Sequence, residues 1–188
     1  MISNKDRSGF FGASDVDKIV GNTKTKTFEK WWLEKIGINK NDFTNDAMSA
    51  GTYYEHKILD SLGFEIEKDK QVIIEDLKLR VNLDGNTNDC IYEVKTYKLE
   101  KGFKVPLKYK RQVWVQMYAT GIKKAYIVAY GLNESDYKNF FHQIEKSRLQ
   151  MIPIEYEKEF IEKVYLPRLK YFAECLNKGV FPNEENSF

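Results

Sequence analysis

The chain has 188 residues, 42% hydrophobic and 14% aromatic, enough to build one globular core and too apolar for a disordered segment. A formal net charge of +2 excludes a uniformly basic nucleic-acid protein, so any phosphate-binding surface must come from local segregation of charge. There is no apolar run of about 18 residues and no signal-peptide core near Met1, and Cys90 and Cys175 fit no zinc or iron–sulfur spacing, so a soluble, cytoplasmic, single-domain protein with two free thiols is expected.

Ser14, followed by Asp15-Val16-Asp17, reads as the N-cap of a short helix closed by Gly21. Arg7 precedes it in a glycine-punctuated stretch that can fold back on the helix start, and an arginine beside a helix N-terminus is a phosphate pocket. A plain cap is the competing reading of Ser14, and Phe10 and Phe11 are expected to pack inward, with stacking on a nucleotide as the alternative. Thr27 to Ile36 predicts a second helix, capped by Thr27, that buries Phe28, Trp31, Trp32 and Ile36 and carries no chemistry.

A longer helix is predicted from Asn45 to Leu62, ended by Gly63. Glu55 falls on the face of Ile58, Leu59 and Leu62, so an acid points inward, where it needs a cation, a metal or hydrogen-bond donors. Gly51 on that face permits a close approach to the helix. His56 reads as a partly exposed helix residue and not as a ligand.

Strands are predicted at Phe64–Glu67, Gln71–Ile74, Leu79–Asp84 and Ile91–Thr96, with charged turns at Glu67–Lys70 and Glu75–Asp76. Leu79, Val81 and Leu83 share one face, and Asp84 has the opposite parity at the strand end. On the next strand Glu93 and Lys95 point the same way, away from Tyr92 and Val94. Two carboxylates beside one ammonium make a hard-oxygen site for a divalent ion. The same letters also read as a hairpin turn and a solvated strand edge.

From Lys98 to Arg111, Lys98, Lys101, Lys104, Lys108, Lys110 and Arg111 are offset by Glu100 alone, which suits a surface that follows phosphates or an ordinary solvated face. A helix from Leu107 to Thr120 then sets Gln112 and Gln116 on one side, with Gly121 as its C′ residue. A strand at Ala125–Tyr130 and an edge pair at Phe140–Ile144 and Ile152–Tyr156 follow. The last helix, Glu157–Asn177, aligns Phe160, Val164, Leu169, Phe172 and Leu176, ends at Gly179, and leaves a loose tail from Asn183 to Phe188. The order predicts an α/β (α+β) fold, a central mixed β-sheet flanked by helices.

Three stretches carry a family likeness: G-A-S-D-V-D-K-I-V-G, then V-N-L-D-G with I-Y-E-V-K-T, then Q-V-W-V-Q-M-Y-A-T-G. Together they resemble the PD-(D/E)XK nuclease superfamily, and within it the YqaJ-type viral recombinases of the lambda exonuclease-like branch. The resemblance spans Arg7 to Gly121 and implies a restriction-endonuclease-like core. It implies Asp84, Glu93 and the main-chain carbonyl of Val94 as metal ligands, Lys95 as the catalytic lysine, and Glu55 as an upstream acid that assists the metal site. It further implies Arg7 and Ser14 at the 5′-phosphate of the degraded strand and Gln112 placing the water or the lysine; with that activity, Lys104 and Lys108 of the basic segment, and Gln116, are expected toward DNA. Mg²⁺, replaceable by Mn²⁺, is the implied cofactor.

The implied activity is a 5′ to 3′ exonuclease acting on double-stranded DNA ends in phage-type recombination inside a bacterial host. A single-strand annealing protein is its natural partner and a ring-shaped trimer its assembly. Trp114 departs from the family pattern, standing where many relatives have a glutamine, and the chain is short for this branch. An endonuclease of the same superfamily and a catalytically silent DNA-binding module are the alternatives.

Overall fold

The computed structural model describes residues 8–39 and 45–182. The predicted phosphate ligand Arg7 and the tail from Asn183 to Phe188 lie outside them. Five strands, β1 (Glu67–Ile74), β2 (Leu79–Asn86), β3 (Cys90–Lys98), β4 (Lys124–Leu132) and β5 (Leu149–Pro153), form one sheet in the order β1-β2-β3-β4-β5. All neighbours are antiparallel except β3 and β4, which run parallel. A parallel pair needs a crossover, supplied by helix α4 (Leu107–Thr120).

Strand alternation splits the core into two layers. On β2, Leu79, Val81 and Leu83 join a cluster with residues of α1 (Val16–Ile19), α2 (Lys26–Lys35), α4 and α6 (Leu166–Lys178). On the other face, Tyr92, Val94, Val128 and Tyr130 pack with Ala50, Tyr54, Ile58 and Leu59 of α3 (Asp46–Asp60). Phe11, Phe28, Trp31, Trp32 and Phe172 form an aromatic cluster in the first layer. Phe11 thereby anchors the N-terminal segment.

The detail that positions the site is a fork between β2 and β3. Their ladder pairs only Gly85 with Tyr92 and Asn86 with Ile91. Past it, the chain around Phe11 joins β2 instead, with Phe11 N–H donating to the Lys78 carbonyl at 2.7 Å and Arg80 N–H to the Phe11 carbonyl at 2.8 Å. Gly85 is required for space: a Cβ there would lie 2.7 Å from Ile66 and 3.0 Å from Leu59 of α3. It is not a turn residue, because β2 continues through Asn86.

Several expectations are corrected. Thr25, not Thr27, caps α2, accepting the Phe28 N–H at 3.0 Å. Ser14 is not a cap; it sits exposed in a short 3₁₀ turn, Ala13–Asp15, where the Asp15 carboxylate accepts the Gly12 N–H at 2.8 Å. The charged run Glu67–Lys70 lies inside a single edge strand, with Asp69 in left-handed backbone at φ 58°. Residues 140–144 form no strand, and the capping box of Asn133 and Asp136 starts a short helix, α5 (Glu134–Lys138), before them.

The final helix is led by a π-helical segment, Phe160–Tyr165, just before Pro167, which lacks the N–H a regular turn would use. The wider turn shifts the buried face to Ile161, Tyr165, Leu169 and Phe172 and leaves Val164 exposed. Both cysteines are free and buried.

Candidate active site

Asp84 and Glu93 would be the next pair of the β2–β3 ladder beyond Gly85 and Tyr92, and the ladder stops there. In place of a backbone partner, the Val94 N–H donates to Asp84 Oδ2 at 2.8 Å. The fork opens a cavity of about 240 Å³ whose lining includes Ser14, Glu55, Asp84, Glu93, Val94, Lys95 and Gln112. Seven predicted site residues therefore share one cavity, drawn from five segments of the chain.

Glu93 is 1% exposed, so the competing reading of a solvated strand edge does not hold for it. Its carboxylate is held by three donors at 2.5 Å: Lys95 Nζ and Gln112 Nε2 to Oε1, and Gln116 Nε2 to Oε2. The i, i+4 pair on α4 thus grips the acid from one side. Gln116 is 0% exposed, which removes it from the DNA-facing set; its role is to hold Glu93. Lys95 Nζ also lies 4.9 Å from the centre of the Tyr109 ring, and Lys108 Nζ lies 5.0 Å from the same ring. Lys104 and Lys108 are exposed and do not line the cavity.

The electrostatics are unbalanced. Burial and the nearby Glu93 carboxylate push the Asp84 carboxyl well above its usual range, with Lys95 pulling the other way and Glu55 adding to the rise. Glu55 is raised to about 7 by burial and by Glu93 and Asp69. Burial works against the Lys95 ammonium, but Glu93 and Asp84 outweigh it and hold its pKa above the ordinary value. Around Asp84 itself, three carboxylates counting its own face the Lys95 ammonium, which is already paired with Glu93. Carboxylate oxygens are the donors that a divalent cation of the Mg²⁺ type takes, and Val94 lines the cavity beside them.

Reading the sequence missed four polar residues of this cavity: Asp15, Lys35, Arg80 and Asn82. Arg80 and Asn82 share the parity of Asp84 on β2, a signal available in the sequence. Lys35 is 3% exposed and its Nζ lies 2.6 Å from Asp15 Oδ2, while Trp31 Nε1 donates to Asp15 Oδ1 at 2.9 Å. Phe10 also lines the cavity, with the Arg80 guanidinium 5.4 Å from its ring centre.

Residues 4–123 match the sequence model of the YqaJ-like viral recombinase domain. The chain belongs to that family. No curated protein gives a significant match. Among solved structures, LHK-Exo in complex with dAMP aligns with a TM-score of 0.69 at 19% identity, covering 91% of this chain and 89% of that one. LHK-Exo is described as an alkaline exonuclease from Laribacter hongkongensis. A phage-related exonuclease from Haemophilus somnus aligns with a TM-score of 0.65 at 14% identity, covering 90% and 96% of the two chains. At such identities the likeness shows a shared fold. Together with the match to the YqaJ-like family, it supports a nuclease of the PD-(D/E)XK type. No helix among the described residues is long and apolar enough to cross a membrane.

Proposed function

We propose that the protein is a metal-dependent exonuclease that degrades double-stranded DNA from its ends, 5′ to 3′, and exposes single strands for phage-type recombination. The observation that carries this reading is the meeting of Asp84, Glu93, Lys95 and Glu55 in one cavity beside the Gly12–Asp15 turn. Asp84, Glu93, Glu55 and the Val94 carbonyl would hold Mg²⁺, or Mn²⁺ in its place. Such an ion supplies an acidified water and neutralises phosphate charge.

The chain's own residues do the rest. Gln112 and Gln116 fix the Glu93 carboxylate, so its orientation does not depend on an arriving substrate. Lys95, anchored on Glu93, presents an ammonium that orients the attacking water and stabilises charge developing on the phosphate. Ser14 stands at the cavity wall, where a terminal 5′-phosphate would be received together with Arg7. Polarity rests on that pocket. Lys104 and Lys108 offer exposed charge for the DNA backbone, so DNA affinity should fall steeply with salt, and less steeply once both are changed to alanine. A single-strand annealing protein is the partner this reading implies, and the site of action is the cytoplasm of a bacterial host.

The deciding experiment compares linear DNA bearing 5′-phosphates with a closed circle of the same sequence in Mg²⁺, using Lys95→Ala as control. Loss of the linear form alone, dependent on Lys95, is expected. Cutting of the circle would make the protein an endonuclease, and cleavage of neither would return it to a binding module.

A further inference from the structure

Sharing Glu55 with the catalytic cavity is a second cluster of different chemistry. Glu55 and His56, adjacent on α3, meet Asp69 of β1, and one ligating atom from each lies within 4.8 Å of the other two. His56 Nε2 is 3.0 Å from Asp69 Oδ2. That nitrogen is shut away from solvent without an aligned hydrogen bond, so the contact with Asp69 does not use the imidazole as a directed donor. All three side chains are half-buried, which leaves room for solvent to complete a coordination shell.

We propose that Glu55, His56 and Asp69 bind Zn²⁺, and that the ion, when bound, withdraws Glu55 from the catalytic cavity. Two carboxylates and one imidazole with an open position form a ligand set suited to zinc. The imidazole separates this site from the all-oxygen cluster around Asp84: nitrogen ligands favour first-row transition ions, whereas Mg²⁺ takes carboxylates and water. Glu55 is the hinge between the two, because it lines the cavity and also belongs to the cluster. A carboxylate drawn onto zinc beside His56 and Asp69 commits an oxygen and much of its charge there, so it serves an ion or a water held by Asp84 less well. Zinc binding is therefore a property of the cluster itself, while inhibition rests on the nuclease reading above.

The test begins without DNA. Metal-free protein is titrated with Zn²⁺ against a chromogenic chelator, as wild type, His56→Ala, Asp69→Asn and Asp84→Asn. One zinc should bind the wild type and Asp84→Asn alike, with affinity reduced at least ~10-fold in each of the other two. A wild type that takes up no zinc, or His56→Ala and Asp69→Asn proteins that bind it undiminished, would overturn the site; using two variants on separate elements guards against a folding defect in one. Zn²⁺ should then slow Mg²⁺-supported cleavage by wild type and leave His56→Ala unaffected. Equal inhibition of both would overturn the withdrawal of Glu55. Absence of any cleavage in Mg²⁺ alone would instead strike the nuclease reading, with the zinc titration still deciding the site.

Discussion

Asp84 and Asp136 are both carboxylates that the fold draws out of water, and they end in opposite electrostatic states. Asp136, 0% exposed, receives the Asn133 N–H at 2.9 Å, Arg148 Nη1 at 2.6 Å and His142 Nδ1 at 3.0 Å. Burial raises its pKa, but those three partners outweigh it and hold the carboxyl below the ordinary value. Asp84 receives one N–H, from Val94, and otherwise faces Glu93 and Glu55, with a single ammonium already engaged by Glu93. The fold completes one acid and leaves the other short of positive charge. Deficit of that kind, in a cavity, marks where an incoming cation or substrate is to supply the remainder.

The comparison breaks first at Arg148. Removing the guanidinium in Arg148→Ala strands a buried charge and should cost about 3–5 kcal/mol, read as a lower denaturant midpoint with an unchanged slope. A loss below 1 kcal/mol would mean that Asp136 is not held by its partners. At the other acid the large effect falls on chemistry. Lys95→Ala should reduce DNA cleavage by about 10²–10³-fold while the protein stays folded and still binds DNA. Near-normal turnover would remove Lys95 from the mechanism.

The difference between these acids also explains what could be read from the sequence. Asp84, Glu93 and Lys95 were legible because strand parity alone sorts them from Leu83, Tyr92 and Val94, and because Gln112 and Gln116 are spaced for one helix face. The grip of Gln116 on Glu93 was not legible, since spacing says which way a side chain points and not whether it reaches solvent. Lys35 was hidden for the same reason: it sits in the stripe of Trp31 and Trp32, and its partner Asp15 is remote in sequence. Charged residues misled where an edge strand is solvated on both faces, so that Glu67–Lys70 read as a turn. The capping box of Asn133 and Asp136 that starts α5 is visible in the letters alone, because both partners lie within one turn of each other.

A smaller effect should carry opposite signs at the two acids. In metal-free buffer, Asp84→Asn removes a charge the fold disfavours and should raise stability on the order of 1 kcal/mol, while abolishing cleavage. Asp136→Asn removes a charge the fold rewards and should lower the thermal midpoint. The pair is measured by thermal unfolding in chelator. Equal signs would erase the distinction between a completed and an uncompleted site.

The smallest effect is the pH dependence of the metal-free protein, where the two acids work in separate windows. Glu55, neighbour of Asp84, has its folded pKa raised from 4.5 to about 7, so its charged form is disfavoured in the fold. The folded state therefore binds more protons than the unfolded one between those values, and stability rises as pH falls from about 7 toward 4.5, by ~1 kcal/mol once solvent screening at a half-buried group is allowed for. Asp136 behaves in the opposite sense: its folded pKa lies below the ordinary 3.8, so its contribution is complete above that value and is lost as pH falls beneath it. Thermal midpoints in chelator should climb on mild acidification and then drop below about pH 4. In Glu55→Gln the climb should shrink and the drop remain, because Gln cannot titrate and the Asp136 cluster is untouched. Saturating Mg²⁺ should flatten the climb in wild type as well, since a cation bound by these carboxylates favours the charged form that the metal-free fold resists. An undiminished climb in Glu55→Gln would assign it to Asp84 and the rest of the cavity instead of to Glu55.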